Sequence, residues 1–212
     1  AAVTDRIGLG TGVINIPYRL PFQTAKQVAT LQELSNNRLI FGVGVGWYET
    51  EFEVIGVPFR DRGKITDQAL DLLHRSFSED EVTINGIDFS MLPRPPRPPI
   101  YVGGSSAAAL RRTIKFGDGW IPAGKMPEEL AGPVAQLAAL AGQAGKPKPE
   151  IIAMKTLPLD DPGAALDLVE AYRAQGVAEV VHTGGYEDAE VFRRRVDILC
   201  SKIIPHLAPS SD

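Results

Sequence analysis

Residues 6–45, RIGLGTGVINIPYRLPFQTAKQVATLQELSNNRLIFGVGV, decide the fold class. Arg6 to Ile14 is short, apolar and punctuated by glycine, the pattern of a strand buried on both faces of a parallel sheet. Pro21 to Leu34 sets Phe22, Ala25, Val28, Ala29, Leu31 and Leu34 along one stripe at helical spacing. Ser35-Asn36-Asn37 closes that helix with residues that tolerate left-handed backbone. A second buried run, Leu39 to Val45, follows at once. Strand, helix and strand joined by short links make a parallel βαβ unit.

Outward from this unit the same rhythm continues. Trp47, Tyr48, Glu49 and Glu51 lie in a polar stretch, and Arg60 to Phe77 reads as an amphipathic helix carrying Ile65, Ala69, Leu72 and Leu73. Residues 78–98 interrupt the alternation with a hairpin, VTINGIDF (82–89), turning at Asn85-Gly86. The tract PRPPRPP (93–99) comes next. Such a tract can be a polyproline ligand, but an apolar strand follows directly, and a rigid connector is the reading. Further strands are expected at Ile100–Val102, Gly119–Pro122, Glu150–Leu157 and Glu179–His182. Helices are expected at Ser105–Phe116, Pro127–Ala144, Pro162–Gln175 and Glu187–His206, the last burying Val191, Phe192, Val196, Leu199, Ile203 and Ile204. Six strand–helix units predict an α/β parallel fold. Either a doubly wound sheet or part of an eight-unit barrel fits, since a complete barrel takes about 250 residues.

The chain has 212 residues, a net charge of −4 and 44% hydrophobic residues. That balance argues against a nucleic-acid surface, which needs clustered cations, and the apolar content is ample for a core. The one cysteine, Cys200, forms no internal disulfide, and His74, His182 and His206 are too scattered for a local metal site. With no secretory signal at the start and no run of about 20 apolar residues, a cytoplasmic protein with no membrane partner and no metal is expected.

Two glycine clusters, Gly8-Leu9-Gly10-Thr11-Gly12 and Gly42-Val43-Gly44-Val45-Gly46, lack the spacing and the following helix of a dinucleotide fingerprint. Glycine weakens a strand, so its repetition has a cause: close approach of a planar ligand, or tight packing of the fold itself. The third cluster, Gly103-Gly104-Ser105-Ser106, leads from a strand into a helix start. There the amide groups and dipole favour an anion, and a phosphate site is the reading over a plain capped turn. Trp47, Tyr48, Glu51 and Trp120 are candidate pocket residues. Arg193-Arg194-Arg195 reads as a solvated helix face. His182, at a strand end, is the only histidine placed to enter a site, and no catalytic constellation is legible.

Three stretches taken in order carry a family resemblance: residues 1–63, from AAVTDRIGLGTGV to VPFRDRG; residues 98–122, PPIYVGGSSAAALRRTIKFGDGWIP; and residues 191–207, VFRRRVDILCSKIIPHL. The chain resembles the luciferase-like monooxygenase superfamily, and within it the deazaflavin (coenzyme F-420) dependent oxidoreductases. The resemblance implies a single domain over 1–212, a TIM (β/α)8-type barrel lacking about its first two units, with the insertion at 78–98. It implies that Thr11 and Gly12 back the cofactor ring, where relatives often have a non-proline cis peptide. Gly44, Gly46 and Trp47 would border the cofactor, Gly103, Gly104, Ser105 and Ser106 would hold its phosphate, and Trp120 would help close the pocket. The implied activity is hydride transfer between F-420 and a small organic substrate, in a homodimer. The alternatives are an FMN-dependent monooxygenase served by a flavin reductase, and a non-catalytic flavin-binding homologue.

Overall fold

The computed structural model describes residues 1–207; the end of the expected 1–212 domain, 208–212, lies outside the described residues. The chain divides into two compact units, Ala1–Trp120 and Ile121–Asp212.

The first unit opens with β1 (Leu9–Gly10), β2 (Ile14–Asn15), α1 (Pro21–Leu34) and β3 (Leu39–Gly44). It continues with α2 (Glu49–Ile55), α3 (Arg62–Ser78), the hairpin β4 (Val82–Ile84) and β5 (Ile87–Phe89), β6 (Ile100–Gly103), α4 (Ala107–Phe116) and β7 (Gly119–Ile121). The sheet order runs β1, β3, β6, β7, with β2 also on β3. The β1–β3, β2–β3 and β3–β6 pairs are all parallel, with Leu9 opposite Leu39, Ile14 opposite Val43 and Val43 opposite Val102. Phe41, Val43, Ile100 and Val102 alternate along the two central strands and are at most 1% exposed. They pack with Ala25 and Val28 of α1 and with Leu70 and Leu73 of α3. Full burial of each large aliphatic chain contributes about 1.5–3 kcal/mol, and this layer is what keeps α1 and α3 on the sheet.

Polar groups finish the joints. Gln32 is buried at the end of α1; its amide donates to the Pro96 carbonyl (3.1 Å) and its oxygen accepts from the Leu39 amide (3.1 Å). The proline-rich tract is thereby tied to the start of β3, and Pro95 and Pro98 are themselves buried. Arg97 makes a two-pronged bond to Asp118 (2.7 and 2.8 Å), which also accepts from the Ile100 amide at 2.7 Å. The tract is a connector, as the sequence suggests. Arg38 donates to the carbonyls of Thr4 and Ile7, both at 2.6 Å, and anchors the first residues of the chain.

In the second unit are α5 (Ala131–Gln143), β8 (Glu150–Lys155), α6 (Pro162–Ala174), β9 (Glu179–His182) and α7 (Ala189–Ile198). β8 and β9 pair in parallel, with Lys155 opposite His182. Leu157, Ala165, Val169 and Ile203 form a small core with Val180 packed against it.

Four expectations need correction. The strand expected over Arg6–Ile14 is broken into β1 and β2; the Gly12–Val13 peptide between them is cis, in keeping with the non-proline cis peptide that the resemblance implies at Thr11 and Gly12. Residues 49–55 form a helix that the polar composition concealed. The helix expected over Pro127–Ala144 is a 3-10 turn, Pro127–Glu129, followed by α5. The final helix stops being α-helical at Ile198 and passes through a π turn (Leu199–Ile203) into a 3-10 turn (Ile204–His206). Pro205 has no amide hydrogen to continue the α-helical ladder. Of its expected stripe only Ile203 is buried; Phe192, Val196 and Ile204 are exposed.

Gln32→Leu should lower stability by about 1–3 kcal/mol, because the Leu39 amide and Pro96 carbonyl lose their partner; a urea midpoint measures it. Asp118 gives a pH signature. Burial works against its charge, but Arg97 and the Ile100 amide hold the carboxyl below the usual range. Its contribution is complete above about pH 4 and is lost as pH falls through the depressed value. Unfolding midpoints across that acid range should fall less steeply for Asp118→Asn than for the wild type.

Candidate functional site

Trp120 is the buried middle residue of β7, while the carboxyl ends of β1, β3 and β6 hold Thr11, Gly12, Gly44, Gly46, Trp47 and Gly103–Ser106. In parallel α/β folds this is the edge where function is built, because the strand-to-helix turns converge there.

Thr11 continues the β1 ladder: its amide donates to the Ile40 carbonyl at 3.1 Å and its hydroxyl to the Gly42 carbonyl at 2.8 Å. After Gly12 comes Val13, whose side chain explains two glycines on neighbouring strands. A Cβ at Gly44 would lie 2.7 Å from Val13 Cγ2 and 3.0 Å from Asn15 Oδ1; one at Gly103 would lie 3.2 Å from Val13 Cγ1. Asn15 sits opposite Gly44 in the β2–β3 register. So the space left at Gly44 and Gly103 is taken by the protein's own Val13, and the tight-packing explanation of these glycines holds.

Gly46 lies in the turn after β3 at φ +77°, where a Cβ would meet the Phe52 ring at 2.7 Å and the Tyr18 hydroxyl at 3.1 Å. Trp47 follows, 82% exposed, with its ring 5.5 Å from that of Tyr48.

At the β6–α4 junction Gly104 has φ +113°. Its carbonyl accepts from the indole N–H of Trp120 at 2.6 Å, and Trp120 is fully buried. Trp120 therefore acts on the site through the Gly104 backbone. Ser105 and Ser106 are both exposed, and the Ser106 hydroxyl accepts from the Ala109 amide at 3.2 Å as the cap of α4. The amides of Ala107 and Ala108 have no acceptor within the helix by its geometry. They and the dipole of the ten-residue α4 form a ready anion cradle.

Sequence reasoning missed the part played by Tyr18 and Phe52. Phe52, on α2, is fully buried, with edge-to-face contacts to Tyr18 (4.9 Å) and Phe59 (5.1 Å). The Tyr18 hydroxyl donates to Glu51 Oε2 at 2.6 Å. Burial and the adjacent Glu51 carboxylate push its pKa up to about 12. A signal for α2 was present: Glu49 and Glu51 near its start, and Gly56, left-handed at φ +70°, just past its end.

Two of the histidines bond to the backbone of neighbouring elements, and His182 Nε2 is buried without a partner. His74 Nε2 pairs with the Phe116 carbonyl at 2.8 Å. His182, in the second unit, accepts the Leu157 amide at Nδ1 (3.0 Å), and burial followed by Arg195 lowers its pKa. Arg193 and Arg194 are exposed on α7, while Arg195 donates back to the Gly185 carbonyl. No group of three or more metal-ligating side chains occurs among the described residues, and no helix there is long and apolar enough to cross a membrane.

This geometry defines an α/β protein with parallel strands whose carboxyl edge carries glycine-rich turns. The family model for luciferase-like monooxygenases matches residues 1–199, and the chain belongs to that family. An uncharacterized protein of Mycobacterium tuberculosis is 34% identical over 186 residues, 85% of this chain and 63% of the relative. The chain thus spans less than two thirds of that relative's length. The fold is shared with the monooxygenase RslO1 of Streptomyces bottropensis (TM-score 0.84, 19% identity, 98% of this chain and 80% of that one). It is shared too with an F420-dependent secondary alcohol dehydrogenase in complex with an F420-acetone adduct (0.81, 17%, 98% and 82%). The oxygenating constituent of 3,6-diketocamphane monooxygenase of Pseudomonas putida, in complex with FMN, also has it (0.77, 12%, 97% and 81%). The fold class is α/β of the luciferase-like barrel type, with six strand–helix repeats among the described residues.

The packing of Val13 is directly testable. Gly44→Ala should destabilise the protein by about 1–3 kcal/mol through overpacking, whereas Gly10→Ala, with nothing within 4 Å of its Cβ position, should be tolerated. Thermal melts of the two variants separate the cases.

Proposed function

We propose that the chain carries the cofactor edge of an oxidoreductase that moves a hydride between coenzyme F-420 and a small organic substrate. One observation carries the reading: Thr11–Gly12, Gly44–Trp47 and Gly103–Ser106 all fall at the carboxyl edge of one parallel sheet, beside the open amides of α4.

The residues fit such a group in chemistry. Gly103, Gly104, Ser105 and Ser106, with the first-turn amides of α4, would hold the phosphate, because unpaired N–H donors and the helix dipole favour an anion without a charged side chain. Thr11, Gly12, Gly44, Gly46 and Trp47 would border the ring. Trp120 keeps the Gly104 carbonyl turned inward, which leaves the turn's amides to face the anion. When bound, the deazaflavin supplies the hydride chemistry, and the protein supplies binding, orientation and exclusion of water. The substrate is a small molecule. A cytoplasmic homodimer of single-domain subunits completes the reading.

FMN is the competing cofactor, supported by the FMN-bound structure that shares the fold; a flavin reductase partner would then be required. Fluorescence titration of the chain with F-420 and with FMN in parallel decides between them. Saturable micromolar binding of F-420 alone is the expected result. Binding of FMN alone would transfer the reading to a monooxygenase, and binding of neither would overturn the cofactor site. Ser106→Ala should weaken the phosphate-bearing ligand and cost about 1 kcal/mol of stability through loss of the helix cap.

A further inference from the structure

We propose that the Tyr18–Glu51 hydrogen bond is a latch that positions the β3–α2 turn, Gly44 to Tyr48, for the cofactor edge. The inference rests on the reading of that edge given above, but the latch itself is a property of the chain. Tyr18 follows β2 at the end of a 3-10 turn, Ile16–Tyr18, and Glu51 lies in the first turn of α2. Between these two elements the chain makes its exit from β3.

Three contacts meet at the turn. The Tyr18 ring is edge-on to Phe52, whose ring lies against Gly46, and the Tyr18 hydroxyl is also against Gly46. The hydroxyl then donates to Glu51 at 2.6 Å, the length of a charge-assisted O–H···O⁻ bond. Gly46 at φ +77° is thus held between a buried aromatic ring and a fixed hydroxyl, and Trp47 is carried outward from it. Phe52 supplies the apolar floor, but a ring contact alone leaves Tyr18 free to slide. The hydrogen bond sets its register. Burial and the Glu51 carboxylate push the Tyr18 pKa up to about 12, so the hydroxyl remains a donor near neutral pH. Neither side chain is a candidate for the chemical step; both act through the backbone of residues 44–48.

The test compares Tyr18→Phe, Glu51→Ala and Glu51→Gln in the full 212-residue chain. Tyr18→Phe keeps the ring on Phe52 and removes only the donor. Glu51→Gln keeps an oxygen acceptor. The readout is amide hydrogen exchange of residues 44–52 by mass spectrometry, with residues 150–155 of β8 as an internal control. Tyr18→Phe and Glu51→Ala should each speed exchange in 44–52 by about five-fold, the size of one partly exposed hydrogen bond, with β8 unchanged. Glu51→Gln should restore most of the protection, and the double variant Tyr18→Phe/Glu51→Ala should be no faster than either single one. The dissociation constant of whichever of F-420 or FMN binds should rise in parallel. Unchanged exchange at 44–52 overturns the latch, as does acceleration spread equally to β8. If the wild type binds neither cofactor but the turn loosens with Glu51→Gln rescue, the latch stands and the cofactor reading fails.

Discussion

The first unit depends on one close approach: Val13 seated where Gly44 and Gly103 have no side chains. Two neighbouring parallel strands end in glycine at the same level, and the residue after a cis peptide fills the gap. The contact has a simple consequence. A side chain at Gly44 would force Val13 Cγ2 to move, and one at Gly103 would press on Val13 and on the Val43 carbonyl, both at 3.2 Å. The glycines that look like an invitation to a ligand are first a packing device for Val13.

The remaining site residues are held indirectly. A buried indole grips the Gly104 carbonyl, a serine caps α4, and Tyr18 with Phe52 supports the turn after β3. None of these is a charged side chain reaching for an anion. At this edge the arrangement presents backbone amides whose direction is set by neighbours, and helix-start N–H donors can face an anion without a charged side chain.

The insertion follows the same logic of joints. PRPPRPP is stiff and cannot form strands at its prolines, so it is anchored at its middle. Gln32 holds Pro96 and Asp118 holds Arg97, and each also bonds the start of a central strand. The tract therefore sets how β6 enters the sheet beside β3.

Much of the architecture was legible because it follows from local pattern. Short apolar runs alternate with helical stripes, and α1 occupies Pro21–Leu34 with Ala25, Val28 and Ala29 of its stripe buried, though Phe22 and Leu34 at its ends are exposed. Asn36, Asn37 and the Asn85-Gly86 turn all take positive φ where turn chemistry expects it. The six repeats and the glycine-rich strand ends could be read in the same way. What the sequence could not reveal depends on distant neighbours: the seating of Val13 against Gly44 and Gly103, the burial of Phe52 within an acidic helix, the indole bond to Gly104, and the solvent-facing side of α7. Periodicity specifies which face of an element is apolar. Only the folded chain decides what that face meets, because a strand end or a glycine acquires its meaning from whichever side chain is brought within 3 Å of it.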